Sequence, residues 1–415
     1  MSEEQARAIA TAIRPEDFVT PPIVDVVRKR SFVIGVFATV LSIIAVVISP
    51  DHFFRAYLMA YMLWLGVTLG CLALLMLQYL TGGTWGLIIR RQLQAASKNI
   101  TMMGFLFAPL LFGLHRLYPW ADVNRVASDE ILRHRLPVYD LKWWVARAVV
   151  YFIAWWVLGA GITRLSEQRD KSPGNDYNWR RRFQKFAAPG LVVYGLTVTF
   201  ASIDWVMSLD AHWFSTMYGV LFIGGQALSA MSFAIAITIL LARYQPMVRV
   251  IKPAYLVDLG NLLLAFVMLW AYFAFSQYLI IWSGNLPEEI PWYRDRTSGG
   301  WQYIAMALIV FHFILPFILL LSRQLKKKGR ALALVAAGIL VMRAVDMFWL
   351  VEPNFKPTGT PQIPWGQLWI YVVVPVAMGG IWLAAFFTQL RSRPLLPLAD
   401  PLLKDVLAGV DSHGA

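Results

Sequence analysis

The chain has 415 residues, of which 58% are hydrophobic and only 15% are charged. A soluble domain has about 25% charged residues, so this composition excludes an ordinary soluble protein. The apolar runs are continuous rather than alternating, which favours an all-α polytopic membrane protein over a β-barrel. The formal net charge is +13. Its basic residues lie mostly between the apolar runs, which indicates membrane topology and no nucleic-acid partner.

In chain order, a polar N-terminal segment, 1–30, precedes a transmembrane domain, 31–390, and a C-terminal tail, 391–415, follows it. Each predicted span is long enough to cross a bilayer, which takes roughly 20 apolar residues. Pro109 interrupts the third span, which a membrane helix tolerates where neighbours satisfy the freed carbonyl group. The ten predicted spans are 31–48, 55–80, 99–118, 142–163, 183–206, 213–242, 255–283, 301–322, 331–350 and 366–390.

The distribution of Lys and Arg predicts the orientation of these spans. Ten spans place both termini on one side, and the segments predicted on that side carry 26 basic residues. The segments predicted on the other side carry 9. Because cytoplasmic loops are enriched in Lys and Arg, we predict that both termini are cytoplasmic and that the turn 204–225 lies outside.

Ionisable and strongly polar side chains at membrane depth are the candidates for a functional site. Burying such a group costs about 2.5–3.5 kcal/mol on insertion scales, so it usually faces protein or water and often marks a pathway. The deep candidates are His312 in span eight and the pair Arg343 and Asp346 in the outer half of span nine. The others are Arg147 in the outer part of span four, Asp204 at the outer end of span five, Asp210 and His212 in the turn that follows, and Asp258 and Asn261 near the inner end of span seven.

The sequence leaves a structural and a functional interpretation open for each candidate. In the structural one, Arg343 and Asp346 share a helix face at a spacing of three and form an ion pair. His312 is then a buried core histidine, and the acidic groups of the turn cap helix ends. In the functional one, the outer groups bound a quinone site or a proton path that opens outside, while Asp258 and Asn261 begin a proton path from the cytoplasm. His312 would join the halves, since an imidazole accepts and donates protons near neutral pH.

Ligands for haem and metals are scarce in this sequence. A bis-histidine haem needs imidazoles from facing helices at matching depth. Of the six histidines, at 52, 115, 134, 212, 312 and 413, only His312 lies deep. The single cysteine, Cys71, excludes an iron–sulfur cluster within the chain and is expected to be a small buried core residue. We therefore predict no metal site and no covalently bound cofactor.

Two stretches of the chain carry a resemblance to a known family. The first reads SLDAHWFSTMYGVLFIGG over residues 208–225 and is preceded by Asp204 and Trp205. The second reads GVTLGCLALLMLQYLTGGTWGLIIRR over residues 66–91. Together with the span count, they resemble ActF, the integral membrane subunit of bacterial alternative complex III, within the wider NrfD and polysulfide-reductase-type group. The resemblance covers roughly 30–390, nearly the whole chain.

The resemblance implies two four-helix bundles, spans 2–5 and 6–9, flanked by spans 1 and 10. It implies a bacterial inner (cytoplasmic) membrane complex that oxidises menaquinol or ubiquinol and reduces a cytochrome c or an oxidase. Electrons there pass through iron–sulfur and c-type haem groups on partner subunits, and the related membrane subunit ActC is the better-supported quinol site. The subunit that this chain resembles is often named quinone-binding, which implies menaquinone or ubiquinone as a ligand, but its better-supported role is in structure or in proton movement. Lipid and the other subunits are the implied partners.

Two classes of function stay open at this point. The first is a non-haem membrane subunit of a quinol:electron-acceptor oxidoreductase, with no complete activity alone. The second is an independent ion or solute transporter. Such transporters often use broken helices at a midplane site, and Pro109, Pro316 and Pro375 are compatible with that.

Overall fold

The computed structural model describes residues 18–171, 176–356, 359–400, 402, 403 and 406, and these residues form helices and no β-strand. Ten of the helices are long and apolar enough to cross a membrane, which confirms an all-α polytopic membrane protein. They are α1 (Ile23–Ile48), α2 (Pro50–Thr81), α3 (Thr84–Phe112), α4 (Leu141–Lys171), α5 (Asp176–Trp205), α6 (Tyr218–Leu241), α7 (Pro253–Gly284), α8 (Trp301–Leu321), α9 (Gly329–Val351) and α10 (Leu368–Arg391).

Short helices lie in the connections between the long ones. Asp122 and Asp129 begin two of them, because each side-chain carboxylate accepts a hydrogen bond from a backbone N–H of the first turn. Such caps fix where a helix starts even when the helix itself is short. The short α-helices are Leu114–Leu117, Val123–Ser128, Glu130–Tyr139, Met247–Val250, Ile290–Arg296 and Arg323–Lys327.

Helices α2 and α6 form the centre of the molecule. Of the most apolar stretch of each, 89% is buried in α2 and 83% in α6. Both helices are apolar around their whole circumference, as a helix surrounded by other helices must be. Helices α2–α5 pack as one four-helix bundle and α6–α9 as a second, and α2 contacts α6 where the bundles join. Helix α1 packs along α10, outside both bundles, which agrees with the arrangement that the resemblance implies.

The contact between α2 and α6 requires a residue without a side chain. A Cβ atom on Gly70 would lie 2.1 Å from the carbonyl oxygen of Gln226, so the two backbones touch only because position 70 is glycine. The Gln226 side chain accepts a hydrogen bond of 2.8 Å from the Tyr194 hydroxyl, which joins α5 to the same point. Cys71, the neighbour of Gly70, is fully buried, as expected.

The third span differs from its prediction. The sequence predicts 99–118, whereas α3 begins at Thr84 and is interrupted at Lys98–Asn99 before it continues. The first half contains two arginines and two glutamines, which place it outside an apolar window, yet Gly86–Ser97 is buried throughout. Most of its polar side chains bond to polar groups of other segments, which offsets the free energy of burying them.

The other nine helices overlap their predicted spans, and several continue beyond them. Helix α1 begins at Ile23, inside the predicted polar segment 1–30, and α4 continues to Lys171. A helix ends where its backbone hydrogen bonds end, not where its side chains become polar. A search for apolar residues therefore underestimates the length of a helix that extends past the bilayer.

The two ends of the helix bundle carry different connections. Arg391 pairs with Asp25, which joins the end of α10 to the start of α1. This end is called the terminal face, and the other end is called the opposite face. That the terminal face is cytoplasmic stays a prediction. The terminal face holds 82–83, 242–252, 322–328 and 392–400, and the opposite face holds 113–140, 206–217, 285–300 and 352–356.

Candidate functional site

Two cavities of about 660 Å³ each open at the two faces. The terminal-face cavity is lined by the α2–α3 turn, by α5 and α7, and by the segment after α10. The opposite-face cavity is lined by the α3–α4 connection, the α5–α6 turn and the segment after α9. Each of the two stretches that carry the resemblance supplies part of one wall: residues 78–85 at the terminal face and 209–212 at the opposite face.

The α2–α3 turn owes its shape to a pair of glycines. Gly82 and Gly83 have φ angles of 73° and 92°, in the left-handed region that favours glycine. The chain therefore reverses tightly, and the Gln78 side chain packs across Gly86, where a Cβ atom would lie 1.8 Å from it. Gln78 also accepts a hydrogen bond of 3.1 Å from Nε of Arg90. The polar pattern of this stretch thus builds one wall of the terminal-face cavity.

A carboxylate from the segment after α10 lies in the terminal-face cavity. Asp400 accepts hydrogen bonds from Nη1 of Arg90 at 2.5 Å and from Nη1 of Arg169 at 3.3 Å. Burial opposes the ionisation of Asp400, but the two guanidinium groups outweigh it and hold its pKa below the ordinary value. Both Arg90 and Asp400 are buried. The segment after α10 is therefore anchored by a charged group.

The two predicted inner residues line this same cavity. Asp258 and Asn261 lie one helical turn apart on α7. The Asn261 side-chain oxygen accepts a hydrogen bond from the Lys326 ammonium group. Burial and the charge of Arg323 lower the pKa of Lys326. Asp258 is half-buried and has no ion-pair partner among the described residues, so its carboxylate is available to the cavity.

The opposite-face cavity contains the two predicted residues of the α5–α6 turn. His212 Nε2 lies 2.9 Å from Oδ2 of Asp129, which connects the turn to the helix Glu130–Tyr139. Asp210 Oδ1 accepts a hydrogen bond of 3.0 Å from the backbone N–H of His212 and so shapes the turn. Basic side chains complete the wall, namely Arg55, Arg116, Arg125 and Lys356. This cavity is ionic.

The predicted residues Asp204 and Arg147 form a closed pair that lines neither cavity. Nε and Nη2 of Arg147 donate to the two carboxylate oxygens of Asp204 at 2.8 Å and 2.9 Å. The Tyr151 hydroxyl donates to the same carboxylate at 2.8 Å. Nε1 of Trp144 donates to the Asp204 carbonyl at 2.9 Å. Because its acceptors are occupied, Asp204 joins α4 to α5.

His312 occupies a distorted part of α8. Residues Leu308–Ile314 form a π-helical turn, a distortion that is frequent at functional sites. The His312 ring is fully buried and lies 4.1 Å from the Trp270 ring of α7, measured between centroids. Neither ring nitrogen has a hydrogen-bond partner among the described residues. Such unpaired buried groups are uncommon and often have a functional reason.

The predicted ion pair lies beside this histidine. Arg343 and Asp346 pair on α9, with side chains 5% and 4% exposed. The guanidinium packs against Gly225, where a Cβ atom would lie 2.3 Å from Nη2. Arg343 acts electrostatically on His312, and Trp270 lies beside the Asp346 carboxylate. These four side chains, His312, Trp270, Arg343 and Asp346, are called the central cluster, and they lie within the α6–α9 bundle.

No protein-family model matches the chain, and no curated protein sequence matches it.

The predicted residues lie in four places: the two cavities, the central cluster and the closed pair of Asp204 with Arg147. Chemically, the cavities admit water and small ions to ionisable groups from both faces. The central cluster adds one fully buried imidazole whose ring nitrogens have no hydrogen-bond partner among the described residues and which lines neither cavity.

Another buried acid, Glu352, does not appear among the predicted residues. It is 3% exposed and accepts hydrogen bonds from Nη1 of Arg55 at 3.0 Å and from the Tyr371 hydroxyl. Nδ1 of His52 lies 3.0 Å from that hydroxyl. The sequence assigns Glu352 to a loop, because it directly follows an apolar run and precedes Pro353. A lone Glu at that position is the only signal that the sequence offers.

Arg296 was also not identifiable from the sequence. Its guanidinium is 1% exposed, lies 3.6 Å from the Trp292 ring centroid and donates to the carbonyl of Leu350 and the side chain of Asn354. Burial lowers its pKa to about 10. The arginine joins the helix Ile290–Arg296 to the end of α9, so it orders the opposite face.

Proposed function

We propose that this chain is a non-haem membrane subunit of a quinol:electron-acceptor oxidoreductase of the alternative complex III type, in which it supports proton movement. One observation carries the proposal. The two stretches that resemble the ActF family are far apart in sequence, and each supplies a wall of one of the two large cavities. Stretches that resemble a family and line cavities, rather than the lipid-facing surface, are expected of a membrane subunit with a function beyond packing.

The proposed proton path has an entrance at each face and the central cluster between them. Asp258 and Asn261 form the entrance at the terminal face, and Asp210 and His212 form the one at the opposite face. His312 is the proposed proton carrier of the cluster, because it lies deep in an apolar run and an imidazole can both accept and donate a proton. The proposed membrane is the bacterial inner membrane, with both termini cytoplasmic.

The cavity walls bear on where a quinol would bind. Binding pockets for small organic molecules are lined mostly by apolar side chains with a few polar groups. The opposite-face cavity has charged side chains from several elements, and in the terminal-face cavity Asp400 lies between two arginines. The opposite-face cavity does not suit a menaquinone or ubiquinone ring, and the terminal-face cavity offers such a ring one apolar side next to its charged groups. This supports placing the quinol on an ActC-like partner subunit, with iron–sulfur and c-type haem groups on others.

Co-purification tests the complex. Native membranes are solubilised in mild detergent and the chain is isolated through an affinity tag. We expect c-type haem and iron–sulfur proteins to accompany it in stoichiometric amounts. The alternative function, an ion or solute transporter, is favoured by cavities at both faces and by the π-helical interruption of α8. An isolated chain with counterflow activity in proteoliposomes would support that alternative and refute the proposal.

A His312→Phe variant tests the proton path. The change keeps an aromatic ring beside Trp270, and it breaks no hydrogen bond within the described chain, because the ring nitrogens form none. We expect the complex to assemble with normal cofactor content but to release fewer protons per electron, or to turn over more slowly, in sealed vesicles. Asp258→Asn should act in the same direction.

The matched control is His134→Phe. The control makes the same substitution at a histidine whose side chain is 83% exposed and lines neither cavity. It should leave proton stoichiometry and rate unchanged. Wild-type stoichiometry and rate in both His312→Phe and Asp258→Asn would contradict the proton path and leave the chain a scaffold.

A further inference from the structure

The terminal-face cavity carries more positive than negative charge. Arg90, Arg169 and Arg180 line it, and the carboxylates in its wall are Asp258 and Asp400. Asp400 is bound by Arg90 and Arg169, whereas Arg180 has an exposed side chain and forms no ion pair within the described part of the chain. A guanidinium beside a cavity, with its donors uncommitted, is suited to bind an anionic oxygen group.

The backbone adds donors on the same side of the cavity. Gly82 lies near Arg180, since a Cβ atom at position 82 would be 4.0 Å from Nη2 of that arginine. Gly83 directly precedes α3 and Thr84 begins it; both line the cavity, and no side chain caps this helix end. Its first backbone N–H groups have no intrahelical acceptor, so they add to the positive potential that the arginines create.

One side of the cavity is apolar. Trp85 of α3, Phe183 of α5 and Leu262 of α7 line it, and the Phe183 ring stacks on Tyr79 with centroids 3.9 Å apart. A free inorganic anion gains nothing from such surface, whereas a lipid places its phosphate on the arginines and its glycerol and acyl carbons on the aromatic side. Basic pockets between membrane helices bind anionic lipid head groups in this way.

We propose that the terminal-face cavity binds the phosphate group of an anionic phospholipid, and that the Asp400 carboxylate competes with that phosphate for the arginines. The cavity volume of about 660 Å³ is adequate for a head group. The competitor is fixed in place, because Leu396 and Leu403 are buried and the Leu395 N–H donates to the Phe18 carbonyl at 2.9 Å. The lipid therefore shares the cavity with the segment after α10 and with Asp258 and Asn261, and the proposal is independent of any electron-transfer role.

The test measures lipid binding to purified protein that has been delipidated in a neutral detergent. Native mass spectrometry gives the apparent affinity for phosphatidylglycerol, for phosphatidylcholine and for inorganic phosphate. We expect Arg180→Gln to weaken phosphatidylglycerol binding by about tenfold, the loss of one charge-assisted hydrogen bond. Arg181→Gln is the matched control, because Arg181 is the exposed neighbour on α5 and does not line the cavity. It should change the affinity by less than about twofold.

Asp400→Asn decides whether the carboxylate competes. If the proposal is right, this variant binds phosphatidylglycerol more tightly than the wild type, because one anion is removed from the site. Weaker binding by a variant that stays monodisperse would overturn the competition. Equal losses in Arg180→Gln and Arg181→Gln would reduce the effect to general surface charge. Equal binding of phosphatidylcholine, or displacement of the lipid by millimolar phosphate, would overturn the assignment to an anionic lipid.

Discussion

The ion pair of Arg343 and Asp346 gives the sharpest prediction about stability. Both side chains are almost completely buried in the α6–α9 bundle, and Nε of Arg343 has no hydrogen-bond partner within the described chain. Arg343→Met leaves a buried carboxylate uncompensated, and Asp346→Leu leaves a buried guanidinium uncompensated. Each single change should therefore lower the free energy of unfolding by about 3–5 kcal/mol.

The double variant should lose much less free energy of unfolding than the sum of the two single losses. Two independent losses would add to roughly 6–10 kcal/mol. Because Arg343→Met together with Asp346→Leu removes both charges and leaves apolar groups of similar size, we expect a total loss of no more than about 3–5 kcal/mol. The coupling energy between the two residues is then at least about 3 kcal/mol, which is large for one pair of side chains.

Steric trapping in bicelles measures these free energies of unfolding in a membrane-like environment. The matched control is Arg28→Met, because Arg28 also pairs with an aspartate at a spacing of three, Asp25, but the two side chains are 31% and 40% exposed. That change should lower the free energy of unfolding by at most about 1 kcal/mol. Additivity of the Arg343 and Asp346 effects to within about 0.5 kcal/mol would refute the reasoning.

Three further predictions follow from the same structure. A reporter fused after Pro394 and one inserted in the loop 286–300 should report opposite sides of the membrane, with the first in the cytoplasm, and the same side for both would contradict the topology. The depressed pKa of Asp400 means that its contribution to stability is complete above its unfolded pKa and is lost as the pH falls below about 4. Protease sensitivity of the segment after α10 should therefore rise on acidification in the wild type, whereas in the Asp400→Asn variant the segment should be sensitive at every pH. Gly225→Ala should lower the free energy of unfolding in detergent by about 1–3 kcal/mol, because the added Cβ atom would displace the paired Arg343 guanidinium. Gly338→Ala is the control and should be neutral or slightly stabilising, because nothing lies within 4 Å of a Cβ atom at that position. Equal effects of the two changes would contradict the contact between Gly225 and the guanidinium.

The sequence alone determined the membrane class, the number of spans and most of their positions. Crossing a bilayer requires a long apolar run in every helix, and that requirement is local, so it is readable without knowing any contact. The spacing of Arg343 and Asp346 was informative for the same reason, because a separation of three places two side chains on one helix face. The depth of His312 in an apolar run likewise marked it as unusual.

Only the tertiary structure decided which polar groups share a site. The first half of α3 reads as a loop, because its burial depends on partners such as Asp400, which lies 310 residues from Arg90 in the chain. Asp204 and His212 are close in sequence, yet one is closed in an ion pair and the other lines a cavity. The free energy of burying a charge depends on what surrounds it, and those surroundings come from distant segments, so no local pattern encodes them.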